Sequence, residues 1–246
     1  MRTGRREHTL HSLVANHLGA RIVGGALEAG ASLPNEAALG EEFGVSRTVV
    51  REAIKVLAAK ELLEVRPKTG TRVRPRLHWN VLDPDVLRWQ FSGPGAPSGL
   101  EDLLEVRLIV EPAGARMAAT RATTEEVAEI ERACFEMEAT TGHLEASIEP
   151  DLRFHLAVLA ASHNVFMKPF GALIQAALRS SFRLTSVDDA AYRRSVRQHH
   201  RVSEAVRARD AENAEDGMRS LLMSTSEDVH RVLGAAQSRP RARHSG

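Results

Sequence analysis

Apolar residues recur at helical spacing along most of the chain, and the places where that rhythm changes define its organisation. Leu10, Leu13, Val14, Leu18, Ile22 and Val23 predict a helix from Thr9 to Ala26, weakened by Gly24-Gly25 and ended by Gly30. Leu33-Pro34-Asn35 reads as a turn, with Asn35 the N-cap of a short helix over Glu36–Phe43. Gly44-Val45 breaks that helix, and Ser46 caps a longer one over Arg47–Lys60 whose buried face is Val49, Val50, Ala53, Ile54 and Leu57. The period then drops to two. Leu62-Leu63-Glu64-Val65 and Thr71-Arg72-Val73-Arg74 alternate as short strands around the turn Arg66–Gly70. Helix, helix, tight turn, helix and hairpin, in that order, make a winged helix-turn-helix.

Residues 78–99 predict a connection, with Pro84, Gly93, Pro94, Gly95, Pro97 and Gly99 crowding its second half and a short amphipathic helix over Asp83–Phe91. From Leu100 to about Leu233 the period is helical almost throughout, which predicts helices near 100–121, 124–141, 147–162, 165–184, 190–208 and 211–233, with Thr124, Ser147 and Asn164 as caps. The fold class is therefore mainly α. A winged helix-turn-helix over 1–77 and a linker over 78–99 precede an all-α helical-bundle domain over 100–234; a basic tail over 235–246 is predicted to be disordered.

Composition narrows the class. Apolar residues make up 43% of the chain, too many for wholesale disorder. The one cysteine, Cys134, cannot form an internal disulfide and reads as a core residue, which fits a reducing cytoplasm. No run approaches the roughly 20 apolar residues that span a bilayer, and no apolar core follows Arg2, Arg5 and Arg6 as a secretory signal requires, so a cytoplasmic protein without membrane partner is expected. The net charge of +1 hides an asymmetry: residues 1–76 carry 13 Lys/Arg against 8 Asp/Glu, and residues 77–230 carry 16 against 24. A basic head beside an acidic remainder suits a nucleic-acid module joined to a different domain.

In a helix-turn-helix the second helix presents its first turns to base edges in the major groove. Ser46, Arg47, Thr48 and Arg51 occupy those turns, with Arg47 and Arg51 at i, i+4 on one face. Arginine bonds guanine bidentately, and serine or threonine bonds phosphate or base. The wing adds Arg66, Lys68, Thr69 and Gly70, where glycine lets the backbone approach a phosphate. On an isolated amphipathic helix these arginines would be an ordinary solvated face; the complete motif around them points to operator DNA.

Leu33-Pro34-Asn35-Glu36, then Leu39 through Phe43-Gly44-Val45-Ser46-Arg47-Thr48 to Arg51-Glu52-Ala53, then Thr69-Gly70-Thr71-Arg72-Val73, resembles the DNA-binding domain of the GntR family. The resemblance implies double-stranded operator DNA as partner. Many members have a DNA-contacting arginine where this chain has Ala37, which leaves readout resting on Arg47, Arg51 and the wing.

The second domain places polar residues within its apolar stripes. Arg107 lies within the stripe of Leu100, Leu103, Leu104 and Leu108, with Glu111 one turn on. Asp151 and His155 are i, i+4 and share a face with Val158; His199 falls between Val196, Val202 and Val206. Buried groups of this kind need partners, in one another or in a ligand. One carboxylate and two imidazoles suit a divalent metal such as Zn, Ni or Mn, and a guanidinium nearby suits an organic acid. Taken singly, each histidine reads equally as a salt-bridged core residue. Arg193-Arg194 and Arg207/Arg209 read as solvated helix faces.

Leu103-Leu104-Glu105-Val106-Arg107 with Glu111-Pro112, Asp151 with Phe154-His155, Ser162-His163-Asn164, and His199 through Asp210 resemble the FadR-type (FCD) effector domain over about 100–233. In that domain an Asp and His from one helix and two later His often hold a metal. Asp151, His155 and His199 match the first three, and the fourth falls on Leu221. The resemblance therefore implies a three-ligand site completed by water or effector, with Arg107 as effector-binding residue. His78 to Phe91 is similar to the connection in repressors of sugar-acid operons, those for galactonate especially. The expectation is a homodimeric repressor of a catabolic operon, released by a small organic acid such as a sugar acid. A regulator responding to another acid or to acyl-CoA, and a metal-dependent enzyme using Asp151, His155 and His199, are the alternatives.

Overall fold

Side-chain caps set where the helices of the N-terminal region begin. Asn35 Oδ1 accepts from the backbone N–H groups of Ala37 and Ala38 at 3.1 and 2.9 Å and starts α2 (Glu36–Phe43). Ser46 Oγ accepts from the Val49 N–H at 3.3 Å and starts α3 (Arg47–Ala59). Such caps contribute about 1 kcal/mol each. Between them Gly44, at φ 63°, makes the left-handed turn that closes α2. The computed structural model describes residues 3–66, 70–91, 99–185 and 189–237, and the chain divides between Gly93 and Pro94 into two compact units.

In the first unit α1 (Thr3–Val23) packs on α3, and the buried face of α3 is the predicted one: Val49, Val50, Ala53, Ile54 and Leu57. The hairpin pairs β1 (Leu63–Arg66) with β2 (Gly70–Val73), Leu63 opposite Val73 and Arg66 opposite Gly70. The sequence pattern gives no sign that the segment before α2 joins this two-stranded hairpin, yet it does so through an isolated bridge. Ser32 bridges Arg72, the Leu33 N–H donates to Thr71 O at 2.8 Å, and the Val73 N–H to Ala31 O at 2.9 Å. Three residues are too few to show alternation.

The helix α4 (Pro84–Phe91), capped by Asp83, packs against α1 of the same unit. Its anchor is Trp89, whose indole N–H donates to Asn16 Oδ1 at 3.1 Å. Gly19 makes room for it: a Cβ there would lie 2.5–2.6 Å from the ring atoms of Trp89. Lys60 Nζ, held by Asp83 at 2.8 Å and Asp85 at 2.9 Å, stands over the same ring.

The second unit is helical throughout its described residues: α5 (Leu100–Arg121), α6 (Thr124–Ala139), α7 (Leu144–Ala161), α8 (Phe170–Thr185), α9 (Asp189–Arg207) and α10 (Ala211–Gln237). Among its larger contacts, α5 packs against α10 and α7, α6 against α7 and α9, and α9 against α10. Their shared core includes Ile130, Met137, Phe154, Val158, Val202 and Met218. Two caps differ from expectation. Thr123, not Thr124, caps α6, in a capping box with Glu126. Ser147 lies inside α7, which starts a turn earlier, and its hydroxyl donates back to the His143 carbonyl at 3.2 Å. Asn164 caps only a short 3-10 turn, Val165–Met167, ahead of α8. Helix α10 runs past residue 234 to Gln237; the rest of the predicted basic tail lies outside the described residues.

The Gly19–Trp89 contact carries a prediction whose sign separates two effects. Helix propensity alone favours Gly19→Ala by about 1 kcal/mol, whereas overpacking costs about 1–3 kcal/mol. We expect a net loss of stability for the first unit, read in the full chain by tryptophan fluorescence in denaturant, since Trp79 and Trp89 both belong to that unit. Trp89→Leu in the same background should recover most of it; an unchanged midpoint in Gly19→Ala would show that the ring yields freely.

Candidate functional site

The tight turn and the two caps leave the start of α3 exposed, with Ser46, Arg47, Thr48 and Arg51 all at the surface. They differ in what already holds them. Ser46 spends its oxygen on the cap. Arg51 is gripped by Glu36 of α2 through two bonds, Nε to Oε1 at 2.9 Å and Nη2 to Oε2 at 2.7 Å. Those bonds hold the Glu36 carboxyl below the usual carboxylate range. Gly70 opens β2 at φ +87°, a conformation that side chains resist. Lys68 and Thr69 of the wing lie outside the described residues. Ala37, half-buried beside the Asn35 cap, carries no group that reaches outward.

In the second unit, Arg107 and Glu111 come from α5, Asp151 and His155 from α7, and His199 from α9. All five are buried, and they meet. The His199 Nε2 lies 2.9 Å from Asp151 Oδ1, the His155 Nε2 lies 3.3 Å from the same oxygen, and the two Nε2 atoms are 3.3 Å apart. Arg107 Nη2 is 3.4 Å from His155 Nε2, and Arg107 Nε donates to Glu111 Oε1 at 2.5 Å. The structure therefore brings Arg107, Asp151, His155 and His199 into one cluster.

Each imidazole is committed on its far side. His199 Nδ1–H donates to the Ser195 carbonyl at 2.8 Å, one turn back on α9. The other carboxylate oxygen of Glu111 touches His155 Nδ1. Both Nε2 atoms face Asp151 Oδ1: an Nε2–H can donate to that carboxylate, and a ring without its Nε2 proton turns a lone pair to the same point. Phe154, fully buried, sets its ring edge-on to both histidines, with centroids 5.4 and 4.7 Å away.

The charges respond to this packing. Burial alone would raise the Glu111 carboxyl, but Arg107 and His155 outweigh it and hold the group at about 2. Burial opposes ionisation of Asp151 too, and its bonds to His155 and His199 win, keeping it well below the carboxylate range. Burial disfavours charge on His155, and Glu111 with Asp151 override that and raise its pKa. The point where Asp151 and the two imidazoles meet favours positive charge, carried by a ring proton or by a bound cation. Cys134, by contrast, is a buried thiol pushed up to about 12 by desolvation, an unreactive core residue.

Sequence reasoning noted Glu111 one turn from Arg107 but gave it no role. Its signal was the pairing itself: Arg and Glu at i, i+4 inside an apolar stripe are buried together, and such a pair serves whatever else is buried beside it. The Ser195 carbonyl left no signal, because it is backbone.

The donor set fits a metal. Metal–nitrogen and metal–oxygen bonds of about 2.0–2.2 Å place tetrahedral or octahedral donors roughly 3 Å apart, the spacing found here. An oxygen against the far ring nitrogen, Glu111 for His155 and the Ser195 carbonyl for His199, is the usual companion of a metal-ligating histidine. Asp151, His155 and His199 could thus hold a metal ion. Leu221 of α10 lines the same pocket, which has an empty volume of about 610 Å³ including its open mouth. Arg107 Nη1, also buried, has no hydrogen-bond partner among the described residues.

Comparison with known proteins agrees with both units. Residues 10–73 match the family described as bacterial regulatory proteins, gntR family, and residues 102–224 match the FCD domain. The galactonate operon transcriptional repressor of Escherichia coli is 38% identical over 216 residues, 87% of this chain and 94% of that one. A putative L-lactate dehydrogenase operon regulatory protein of Escherichia coli is 33% identical over 228 residues, 89% of this chain and 84% of that one. The solved structure of Lar, which controls the agr system of Listeria monocytogenes, shares the fold with a TM-score of 0.63 at 20% identity, over 90% of this chain and 96% of that one. Among the described residues no helix is long and apolar enough to cross a membrane. The metal-dependent enzyme is set aside as an account of Asp151, His155 and His199. The chain belongs to the GntR family of bacterial regulatory proteins, in its FCD-domain branch, and is a DNA-binding transcription regulator rather than an enzyme.

Proposed function

We propose that this regulator represses a catabolic operon from the cytoplasm as a homodimer and leaves its operator when a small hydroxy acid, of the sugar-acid class, binds the second unit. Two chains related by a two-fold axis present two recognition helices to half-sites about 34 Å apart. Arg47 and Arg51 read bases, Thr48 supports them, Ser46 combines a phosphate contact with its cap, and Lys68, Thr69 and Gly70 of the wing contact the backbone.

The observation that carries the effector reading is Arg107, whose Nη2 stands 3.4 Å from the Nε2 of His155 while its Nη1 has no partner among the described residues. Asp151, His155 and His199 would hold a divalent ion, Zn, Ni or Mn, which when bound supplies an electrophilic site for hydroxyl and carboxylate oxygens. Charge counting then favours an anion. Arg107 and a divalent ion contribute three positive charges, Glu111 and Asp151 two negative ones, and the ligating imidazoles none. One positive charge is left over, which one carboxylate neutralises. Leu221 leaves a coordination position for the effector's own oxygen. The likeness to regulators named for galactonate and L-lactate operons supports an acid bearing a hydroxyl over an acyl-CoA.

On the DNA side, Arg47→Ala should cost operator binding about 1–3 kcal/mol and leave non-specific DNA binding almost unchanged, as read by gel shift at one fixed salt concentration. Equal losses on both DNAs would make Arg47 a phosphate contact. On the effector side, thermal melts with Zn, Ni or Mn ions should show stabilisation that a chelator removes. A ligand at a hundred times its Kd contributes about 2.7 kcal/mol. His155→Ala should lose that stabilisation and the release by acid while still binding operator; a variant released normally would sink the pocket assignment.

A further inference from the structure

Asp228 is a carboxylate in a pocket whose buried end calls for an anion, and that contradiction is informative. It lines the pocket from α10 together with Thr225 and Leu221, at i, i+4 and i+7 on one face of the helix. The face runs outward. Leu221 is 1% exposed, and the Asp228 side chain is 16% exposed.

Two rungs between the antiparallel helices α9 and α10 fix the depth of each residue. Gln198 Nε2 donates to Ser224 Oγ at 2.9 Å, and Arg194 Nη2 donates to the Asp228 carboxylate at 3.0 Å. They place His199 opposite about residue 223, so Asp228 lies roughly 7 Å further along at 1.5 Å per residue. An acid whose carboxylate sits at Arg107 and the histidine cluster meets Asp228 only if its carbon chain is long enough to reach the next turns.

The chemistry of this wall is one-sided. Thr225 Oγ1–H already donates to the Leu221 carbonyl at 3.1 Å, so its oxygen faces the pocket as an acceptor. Asp228 is an acceptor by nature. Arg194 and Arg231, which hold the Asp228 carboxylate at 3.0 and 2.9 Å, are 44% and 67% exposed and do not line the pocket. What the wall offers a ligand is therefore acceptors, with the charge of Asp228 balanced from behind by Arg194 and Arg231. Hydroxyl groups donate to such a wall, whereas a second carboxylate finds no donor among Leu221, Thr225 and Asp228.

Building on the organic-acid reading above, we propose that Thr225 and Asp228 select a polyhydroxy monocarboxylic acid and reject its dicarboxylic counterpart. The charge balance of the buried end, with room for one carboxylate, is consistent with this selection and independent of the α10 wall.

Titration calorimetry of the full-length protein, in the presence of the stabilising metal, tests it with three probes: D-galactonate, galactarate and L-lactate. The wild type should bind galactonate at least about tenfold more tightly than galactarate. Asp228→Asn should weaken galactonate by about tenfold, narrow the gap to galactarate, and leave L-lactate, too short to reach the wall, unchanged. Thr225→Val should weaken galactonate alone and carries the test if Asp228→Asn fails to fold. Equal wild-type affinity for galactonate and galactarate, or variants that bind galactonate as the wild type does, overturns the α10 assignment and leaves the organic-acid reading standing. A wild type that binds none of the three overturns both.

Discussion

One buried, ionised carboxylate, Asp151 between two imidazoles, organises the polar cluster of the second unit. Asp151 Oδ1, His155 Nε2 and His199 Nε2 stand 2.9–3.3 Å apart, and the Nδ1–H of each ring is spent elsewhere, on Glu111 and on the Ser195 carbonyl. In a buried, low-dielectric setting such a carboxylate is costly unless positive charge, a ring proton or a bound cation, sits beside it. The rest of the cluster follows from that requirement. Glu111 must be ionised to accept from His155, and an ionised buried carboxylate requires Arg107 beside it. Arg107 is then a guanidinium next to the very point that attracts a cation. In the function proposed above, a cation bound there and Arg107 are two positive centres side by side, which an anion between them satisfies.

The DNA-contacting face rests on a related division of labour, in which some side chains hold the frame so that others are left free. Asn35 and Ser46 spend their oxygens on backbone N–H groups, and Glu36 grips Arg51 through two bonds. The grip has two consequences. It sets the plane of the guanidinium, and it ties the first residue of α2 to the fifth of α3, which fixes the angle at which the two helices meet. Arg47 has neither constraint. With Ala37 contributing no cation, the proposed reading of the groove falls to Arg47 and to the preset Arg51.

Most of the architecture was legible because helical periodicity survives even where polar residues interrupt it. Arg107, Asp151, His155 and His199 stood out as breaks in apolar stripes, and they meet because each was on the buried face of its own helix. What stayed hidden was hidden for physical reasons. The bridge from the segment before α2 to the wing rests on backbone bonds of Ala31 and Leu33, which leave no side-chain pattern. Ser147 resembled a cap because serine serves equally well inside a helix when its hydroxyl donates to a carbonyl one turn back. Arg194 read as a solvated residue because its partner, Asp228, lies 34 positions away on another helix, a pairing that only the register of α9 against α10 creates.

Leu221 is the residue through which these observations connect. A histidine there would close the coordination shell with protein ligands alone, and a bound acid would have to displace a ligand or bind beside the metal. Leucine closes nothing. In the function proposed above, the shell is completed by the effector, so metal and acid each favour the binding of the other by the same free energy. The price of that coupling is a weaker metal site in the absence of acid. The leucine also begins the face of α10 that continues through Thr225 to Asp228, so the substitution that opens the metal to the ligand starts the wall that reads the ligand's far end. On that proposal affinity is set at the buried end by charge and coordination, and selectivity at the outer end by which groups can donate to an acceptor wall.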